Sequence, residues 1–360
     1  MSYLQINNLK KSFKDDHVLK DVNLSIDKGE FFVVFGPSGS GKTVLLRLIS
    51  GIMFQDKGNI EMDGKIINEL NPEERDISMA FQNFALYPHM DAYENIASPL
   101  RAIKSDEKTL DQKVKEVSSL LKIDHVLTHM PKELSNGQKQ RTSLARSLVS
   151  KPSVVLLDDP LRNVDAKIRF EMRLELPKIL KEFNTTVIYI TQDYREAMAL
   201  GDRIGVLYNG KFNDIEKPRE VYTNPQSLTS AKLFGDPTIN NFTSNVQISN
   251  GSISINLGDE KLIGKNSNQN INGEYIIGIR PEDIKLSNKK NDNSIKVEFR
   301  TKTPLNLKIV YLIKFINGVE MLCSMSESES LSIDENKELF LDIDYSKIHL
   351  FDSNTQETIF

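Results

Sequence analysis

The feature that most constrains this sequence is a complete phosphate-loop pattern, G-x-x-x-x-G-K-[ST], formed by Gly36-Pro37-Ser38-Gly39-Ser40-Gly41-Lys42-Thr43. The pattern follows an apolar run at residues 31–35 and precedes an apolar stretch at residues 44–49. A strand before the loop and a helix after it are the context in which this pattern binds phosphates. The segment therefore predicts an α/β P-loop fold organised around a phosphate-binding loop.

The chemistry of phosphate binding accounts for the residue types in this loop. Glycines allow successive backbone N–H groups to curl around an anion, and the following helix directs its positive end toward that anion. We expect Lys42 to reach the β- and γ-phosphates of a nucleotide and Thr43 to hold Mg²⁺ through its hydroxyl. ATP and Mg²⁺ are thus the predicted ligands, and all of residues 36–43 are predicted to form the nucleotide site.

Residues 1–232 alternate short apolar runs with longer amphipathic stretches, which is typical of an α/β domain. Uninterrupted apolar runs at 31–35, 154–157 and 187–190 predict strands that are buried on both faces. Residues 107–126 carry apolar side chains at helical spacing and predict a helix. Asp158 directly follows the second of these strands, which is the usual place for a carboxylate that holds Mg²⁺ opposite the phosphate loop.

The sequence changes character after Phe234. Residues 243–360 are rich in Asn and Ser and contain short alternating runs such as Ser252-Ile253-Ser254-Ile255-Asn256-Leu257. Alternation of this kind predicts strands of a small barrel or sandwich. We therefore expect two domains, a nucleotide-binding domain at 1–232 and a β-rich domain at 233–360.

Composition excludes some kinds of function. The net charge of -4 gives no sign of nucleic-acid binding, which usually needs a basic excess. The single cysteine, Cys323, cannot form an internal disulfide, which fits a reducing cytosol. The first residues lack the pattern of a secretion signal, and no apolar run approaches the roughly 18 residues of a membrane-spanning helix. Any role at a membrane is therefore expected to depend on a partner.

A second motif, Leu134-Ser135-Asn136-Gly137-Gln138-Lys139-Gln140-Arg141, identifies a family. Ser135 and Gln138 have the spacing of a capping box, which predicts the start of a helix. The N–H groups at such a helix start favour an anion. The motif resembles the signature LSGGQ-x-Q-R of ABC (ATP-binding cassette) ATPases, so the chain is identified as a member of that family.

The resemblance implies further site residues. Gln82 resembles the Q-loop glutamine, which touches Mg²⁺ and relays nucleotide state to membrane subunits through a helical segment at residues 84–150. Phe13 is similar in position to the aromatic residue that packs on adenine, and residues 163–165 resemble the loop that crosses the dimer interface. In ABC dimers each ATP lies between one subunit's phosphate loop and the other's signature. The resemblance therefore assigns three signature residues to nucleotide binding, Ser135, Gly137 and Gln138.

Segments 279–282 (Ile-Arg-Pro-Glu) and 347–352 (Lys-Ile-His-Leu-Phe-Asp) resemble the OB-like (TOBE) regulatory domain of maltose- and glycerol-phosphate-type importer ATPases. The resemblance implies an ATP-binding subunit that drives uptake of a sugar, polyol or glycerol derivative. Its expected place is peripheral, on the cytoplasmic face of the inner membrane, bound to integral-membrane permease subunits that receive solute from an external solute-binding protein.

Two other functions stay open at this point. One is an importer ATPase for polyamines or for ferric or other anions, because such subunits combine similar cassettes with C-terminal β domains. The other is a soluble ABC protein that acts on nucleic acid or ribosomes, and the net charge of -4 argues against it. No nucleic-acid partner is therefore expected.

Four positions depart from the family pattern. Asp159 stands where the family has the glutamate that polarises the attacking water, and Gln192 stands where it has a histidine; Asn136 replaces a glycine and Arg162 a small residue. A shortened or non-titrating side chain at these places predicts slow hydrolysis, because a misplacement of about 1 Å costs roughly a hundredfold in rate.

The sequence thus predicts catalytic roles for Asp159, Gln192 and Gln82, and metal ligands in Thr43, Gln82 and Asp158. Because the hydrolytic residues are altered while Ser135 and Gly137 are kept, the favoured hypothesis is a heterodimer with a second, intact ATPase subunit. A homodimer with slow hydrolysis is the alternative.

Overall fold

The computed structural model describes residues 2–257, 260–265, 270–291, 294–315 and 318–359. The chain forms two compact units, one that ends at Arg219 and one that runs from Glu220 to Phe360. This division falls earlier than the boundary predicted at residues 232–233. The reason is that Leu228 and Ala231 pack with Ile239 and Phe351 in a small apolar cluster of the second unit.

The first unit contains ten strands and six helices within its described residues. In chain order they are β1 (Ser2–Phe13), β2 (Asp16–Asp27), β3 (Phe31–Phe35), α1 (Lys42–Ile49), β4 (Lys57–Met62), β5 (Lys65–Ile66), β6 (Ile77–Ala80), α2 (Ala92–Ala102), α3 (Glu107–Leu120), α4 (Asn136–Leu148), β7 (Val154–Asp158), α5 (Ala166–Glu182), β8 (Thr186–Thr191), α6 (Tyr194–Leu200), β9 (Arg203–Tyr208) and β10 (Lys211–Glu216). This order confirms the predicted α/β class.

A six-stranded sheet in the order β10-β9-β3-β8-β7-β6 forms the centre of this unit. Strands β9, β3, β8, β7 and β6 pair in parallel, and β10 joins the edge antiparallel. Every residue of β3, β7 and β8 is buried, as the apolar runs predicted. A second, antiparallel sheet has the order β2-β1-β4-β5.

The register of the central strands brings their carboxyl ends to one edge of the sheet. Phe35 at the end of β3 lies opposite Thr191 at the end of β8, and Asp158 at the end of β7 lies opposite Ile190. The loops that leave these three strands carry the phosphate loop, Asp159 and Gln192. Open α/β sheets bind their ligands at this kind of edge.

The helix predicted over residues 107–126 is shorter than expected. Helix α3 begins after Asp106, whose side chain accepts a hydrogen bond from the Thr109 N–H, and it ends at Leu120. Lys122 has a φ of 57°, which breaks the helical conformation, and a short 3₁₀ turn follows at Asp124–Val126. Apolar periodicity continued across this break and therefore overstated the length of the helix.

The second unit is mostly β, as predicted. Its elements are α7 (Pro218–Thr223), which spans the division, α8 (Leu228–Leu233), β11 (Asn240–Ser249), β12 (Ser252–Leu257), β13 (Glu260–Lys265), β14 (Ile271–Ile279), β15 (Ile284–Ser287), β16 (Ile295–Leu305), β17 (Lys308–Lys314), β18 (Glu320–Ser326), α9 (Glu327–Ser330), β19 (Leu339–Ile343) and β20 (His349–Asp352). Two five-stranded antiparallel sheets, β13-β12-β11-β14-β20 and β15-β19-β16-β17-β18, share one apolar core. Among the described residues of the whole chain, no helix has the length and apolar character needed to span a membrane.

Candidate nucleotide site

The phosphate loop joins the buried strand β3 to helix α1, which starts at Lys42. Gly41 caps this helix with a φ of 101°, a conformation that strongly favours glycine, and no side chain caps the first turn. A Cβ on Gly36 would lie 2.2 Å from the carbonyl oxygen of Leu207, so only glycine fits there. The uncapped N–H groups at the start of α1 are therefore available to an anion.

Lys42 is folded onto the loop that precedes it. Its ammonium donates hydrogen bonds to the carbonyl oxygens of Gly36 at 2.9 Å and Pro37 at 2.7 Å, and to the hydroxyl of Ser40 at 3.4 Å. Burial lowers the pKa of Lys42 to about 8, against the opposing attraction of Asp159 and Asp158. A cation is thus held inside the loop, where phosphates would be cradled.

Thr43 and Asp158 together offer hard oxygen ligands. The Thr43 hydroxyl donates to Oδ1 of Asp158 at 3.1 Å, and burial raises the pKa of Asp158. Mg²⁺ prefers such oxygens and usually takes only one or two protein carboxylates, with phosphates and water as its other ligands. The residues present therefore fit Mg²⁺.

Asp159 begins the loop after β7 and is also buried. Its backbone has a φ of 46°, and its N–H donates to the carbonyl oxygen of Ile190 at 3.1 Å. Burial, reinforced by the nearby carboxylate of Glu196, raises the pKa of Asp159 to about 6. Its carboxylate lies 3.7 Å from the guanidinium of Arg162.

Most of the predicted site residues converge on one cavity of about 460 Å³. Its lining includes Phe13, Ser38, Gly39, Gly41, Lys42, Thr43, Gln82, Asp158, Asp159 and Gln192. Three further residues of the same loop accept hydrogen bonds from the Lys42 ammonium: Gly36, Pro37 and Ser40. The cavity volume lies within the range of small-molecule sites, about 300–1,000 Å³.

Residues at the mouth of this cavity come from separate parts of the first unit. Phe13 ends strand β1 and is 43% exposed, with the Lys11 ammonium 5.5 Å from its ring centre. Gln82 follows strand β6, and its carbonyl oxygen accepts a hydrogen bond from the Asn163 side chain at 3.0 Å. Gln192 follows β8 and is exposed. An exposed ring and two amides therefore face the region in front of the phosphate loop.

The predicted signature residues lie elsewhere. Ser135, Gly137 and Gln138 form the start of helix α4 and are not among the described residues that line the cavity. The capping box is confirmed, since the Ser135 hydroxyl accepts from the Gln138 N–H at 3.3 Å and the Gln138 amide oxygen accepts from the Ser135 N–H at 2.9 Å. A Cβ on Gly137 would lie 2.9 Å from Cδ1 of Ile168, so a larger residue there would require the Ile168 side chain to move.

Sequence reasoning missed two features of this site. Glu196 is 2% exposed, accepts hydrogen bonds from Tyr189 at 2.9 Å and Thr191 at 2.7 Å, and lies close enough to Asp159 to affect its pKa. No motif marked it, although it lies only four residues after Gln192, in the first turn of helix α6. Arg162 was noted only as a departure from the family pattern, yet it lines the cavity.

Comparisons with known proteins agree with this geometry. The family model described as ABC transporter matches residues 19–162. The chain is 36% identical to the sn-glycerol-3-phosphate import ATP-binding protein UgpC of Psychromonas ingrahamii, over 100% of this chain and 96% of that protein. It is 38% identical to the spermidine/putrescine import ATP-binding protein PotA of Fusobacterium nucleatum, over 99% of this chain and 92% of that protein.

A solved structure of the ATP-binding cassette MJ0796, dimeric and bound to ADP and phosphate after hydrolysis, is also similar. It is 31% identical, with a TM-score of 0.55, and it covers 60% of this chain and 99% of that one. The similarity to the two import proteins extends over nearly the full length of each sequence. The chain therefore belongs to the ABC transporter family, as one of its ATP-binding subunits with the ATPase fold.

Proposed function

We propose that this protein is the ATP-binding subunit of an ABC importer and that it couples ATP binding and hydrolysis to uptake of a sugar, polyol or glycerol derivative. The proposal rests on one observation: the phosphate loop, the Thr43–Asp158 pair and Gln82 line the same cavity. Full-length similarity to a glycerol-phosphate import subunit supports the solute class.

Within this cavity each group has a definite task. Residues 36–43 would bind the phosphates through backbone N–H groups and the Lys42 ammonium, and the exposed ring of Phe13 would pack on the adenine. Thr43, Gln82 and Asp158 would hold Mg²⁺. When bound, this ion neutralises negative charge on the β- and γ-phosphate oxygens.

The same cavity explains why we expect binding to exceed hydrolysis. Asp159 has one methylene fewer than glutamate, so its carboxylate would stop short of a water at the terminal phosphate. Gln192 donates a hydrogen bond but carries no titrating group. We infer that this site mainly clamps ATP.

The position of the signature supports a proposal about how two ATPase subunits pair. Ser135, Gly137 and Gln138 are absent from the described lining of the chain's own cavity, which fits a role at the nucleotide of an adjoining subunit. We propose a heterodimer with a second, intact ATPase subunit, a homodimer being the alternative. The pair would act on integral-membrane permease subunits at the cytoplasmic face of the inner membrane, with an external solute-binding protein as an indirect partner.

The proposal is tested by single-turnover hydrolysis of Mg-ATP, with the purified chain compared with the Asp159→Glu, Gln192→His double variant. We expect the native chain to bind ATP and to hydrolyse it slowly. The double variant should hydrolyse ATP at least about tenfold faster, because its two substitutions restore the residues that the family has at these catalytic positions. A native rate equal to that of the double variant would refute the impaired site. Native mass spectrometry of the intact transporter would show whether a second ATPase chain is present.

One observation favours a second solute class. The spermidine/putrescine relative is 38% identical over almost the whole chain, so a polyamine importer is the second candidate. Cells with and without the gene should be compared for uptake of labelled glycerol 3-phosphate, maltose and spermidine. Loss of glycerol-phosphate or maltose uptake supports the first candidate, and selective loss of spermidine uptake supports the second.

A further inference from the structure

Arg162 lies in the short loop between strand β7 and helix α5 and lines the nucleotide cavity together with Lys42 and Thr43. Its side chain is 52% exposed, and its guanidinium is 3.7 Å from Asp159. Its backbone is anchored, because the carbonyl oxygen of Arg162 accepts a hydrogen bond from Arg169 at 3.3 Å. The loop is thus fixed while the guanidinium faces the cavity.

The charges around this cavity give Arg162 a distinct role. Among the described residues that line it, the cations are Lys42 and Arg162 and the anions are Asp158 and Asp159. Glu196 adds a third carboxylate behind them. Without Arg162, Lys42 would be the only cation among the described lining residues to balance these three carboxylates.

The ion pair that Arg162 makes in this structure is easily exchanged. The Arg162 side chain is half exposed, and its guanidinium lies beyond the usual hydrogen-bond distance from the buried Asp159 carboxylate, so this pair contributes little to stability. A guanidinium stays charged at every relevant pH and offers several N–H donors that match a phosphate group. A phosphate arriving beside Asp159 would therefore be the stronger partner for Arg162.

The geometry points to Arg162 as an additional phosphate-binding residue: we propose that it leaves Asp159 and contacts the terminal phosphate of ATP in this chain's own site. This inference rests on the proposed function. Lys42, from the loop, and Arg162, from beyond β7, would contact the terminal phosphate from different elements. ADP lacks that phosphate, so the chain would favour ATP over ADP through Arg162.

Isothermal titration with AMP-PNP, a non-hydrolysable ATP analogue, and with ADP separates this role from catalysis. We expect Arg162→Gln to weaken AMP-PNP binding about tenfold and to leave ADP binding within about twofold, as for loss of one charged hydrogen bond. Arg162→Lys should recover part of the preference. Lys178→Gln, which removes one exposed positive charge from helix α5, is the matched control and should change neither affinity.

The outcomes are distinguishable. The assignment to the terminal phosphate would be overturned if Arg162→Gln left the ratio of the AMP-PNP and ADP affinities unchanged, whether both affinities fell equally or neither fell. Circular dichroism melting of each variant guards against a loss of folding. If the native chain binds neither nucleotide, the proposed function itself fails; if it binds both and the ratio is unaffected by Arg162→Gln, only this inference fails.

Discussion

Two adjacent carboxylates at the end of strand β7 show how one site combines a preserved part with an altered part. Asp158 is 6% exposed and accepts a hydrogen bond from Thr43 at 3.1 Å, and Asp159 is 7% exposed and lies 3.7 Å from Arg162. Asp158 belongs to the region that would hold phosphates and metal, which matches its motif in full. Asp159 belongs to the region that would activate water, where Asp159 and Gln192 differ from the family pattern.

The difference shows that binding and hydrolysis have separate structural requirements. Binding would depend on backbone N–H groups, glycine conformations and the Lys42 ammonium, all of which are set by the β3–loop–α1 segment. Hydrolysis would depend on the exact reach of side chains that enter from the ends of β7 and β8. A chain can therefore keep the first and lose much of the second without a change of fold.

The largest effect is expected from Lys42→Ala. This change removes the ammonium that donates to Gly36 and Pro37 and would otherwise meet the phosphates, so AMP-PNP binding should weaken about 100-fold or more. Equilibrium binding with a fluorescent nucleotide measures it, with Lys178→Ala as the control for lost charge. If Lys42→Ala bound AMP-PNP with near-native affinity, the preserved region would not be the region that binds the nucleotide, and the contrast between the two regions would be wrong.

A smaller effect is expected from Thr43→Val, which keeps the shape of the side chain and removes its hydroxyl. Mg²⁺ should then improve ATP binding about tenfold less than in the native chain, whereas binding in EDTA should stay the same. Titrations with and without Mg²⁺ provide the ratio. An equal loss under both conditions would show that Thr43 acts on the loop rather than on the metal.

The sequence predicted the framework of the site well because local signals specify it. Uninterrupted apolar runs indicated the central strands β3, β7 and β8, and the glycine spacing indicated the loop. Parallel strands then bring their carboxyl ends together as a matter of topology. Asp158 was expected near the phosphate loop from its place after a buried strand and Gln192 from the family resemblance, and both line the cavity.

Contacts that depend on side-chain direction were not predictable in this way. Glu196, on helix α6, interacts with Asp159. It accepts hydrogen bonds from Tyr189 and Thr191, and neither of these partners of Glu196 on β8 belongs to a motif. Arg162 lines the cavity although its side chain is half exposed, and its loop is held by hydrogen bonds that Arg169 donates to the carbonyl oxygens of Arg162 and Val164. The break in the predicted helix at Lys122 likewise has no apolar signal.

The smallest effect is expected from Asp159→Asn, and it tests the altered region directly. Loss of a well-placed general base costs roughly 10²–10⁴ in rate. If the short side chain of Asp159 keeps its carboxylate away from the water, its loss should lower single-turnover hydrolysis less than about tenfold. AMP-PNP binding should not weaken, because a negative charge leaves the cavity. A hundredfold fall in rate would mean that Asp159 already acts as an effective base, and the division of this site into a preserved and an altered region would then be wrong.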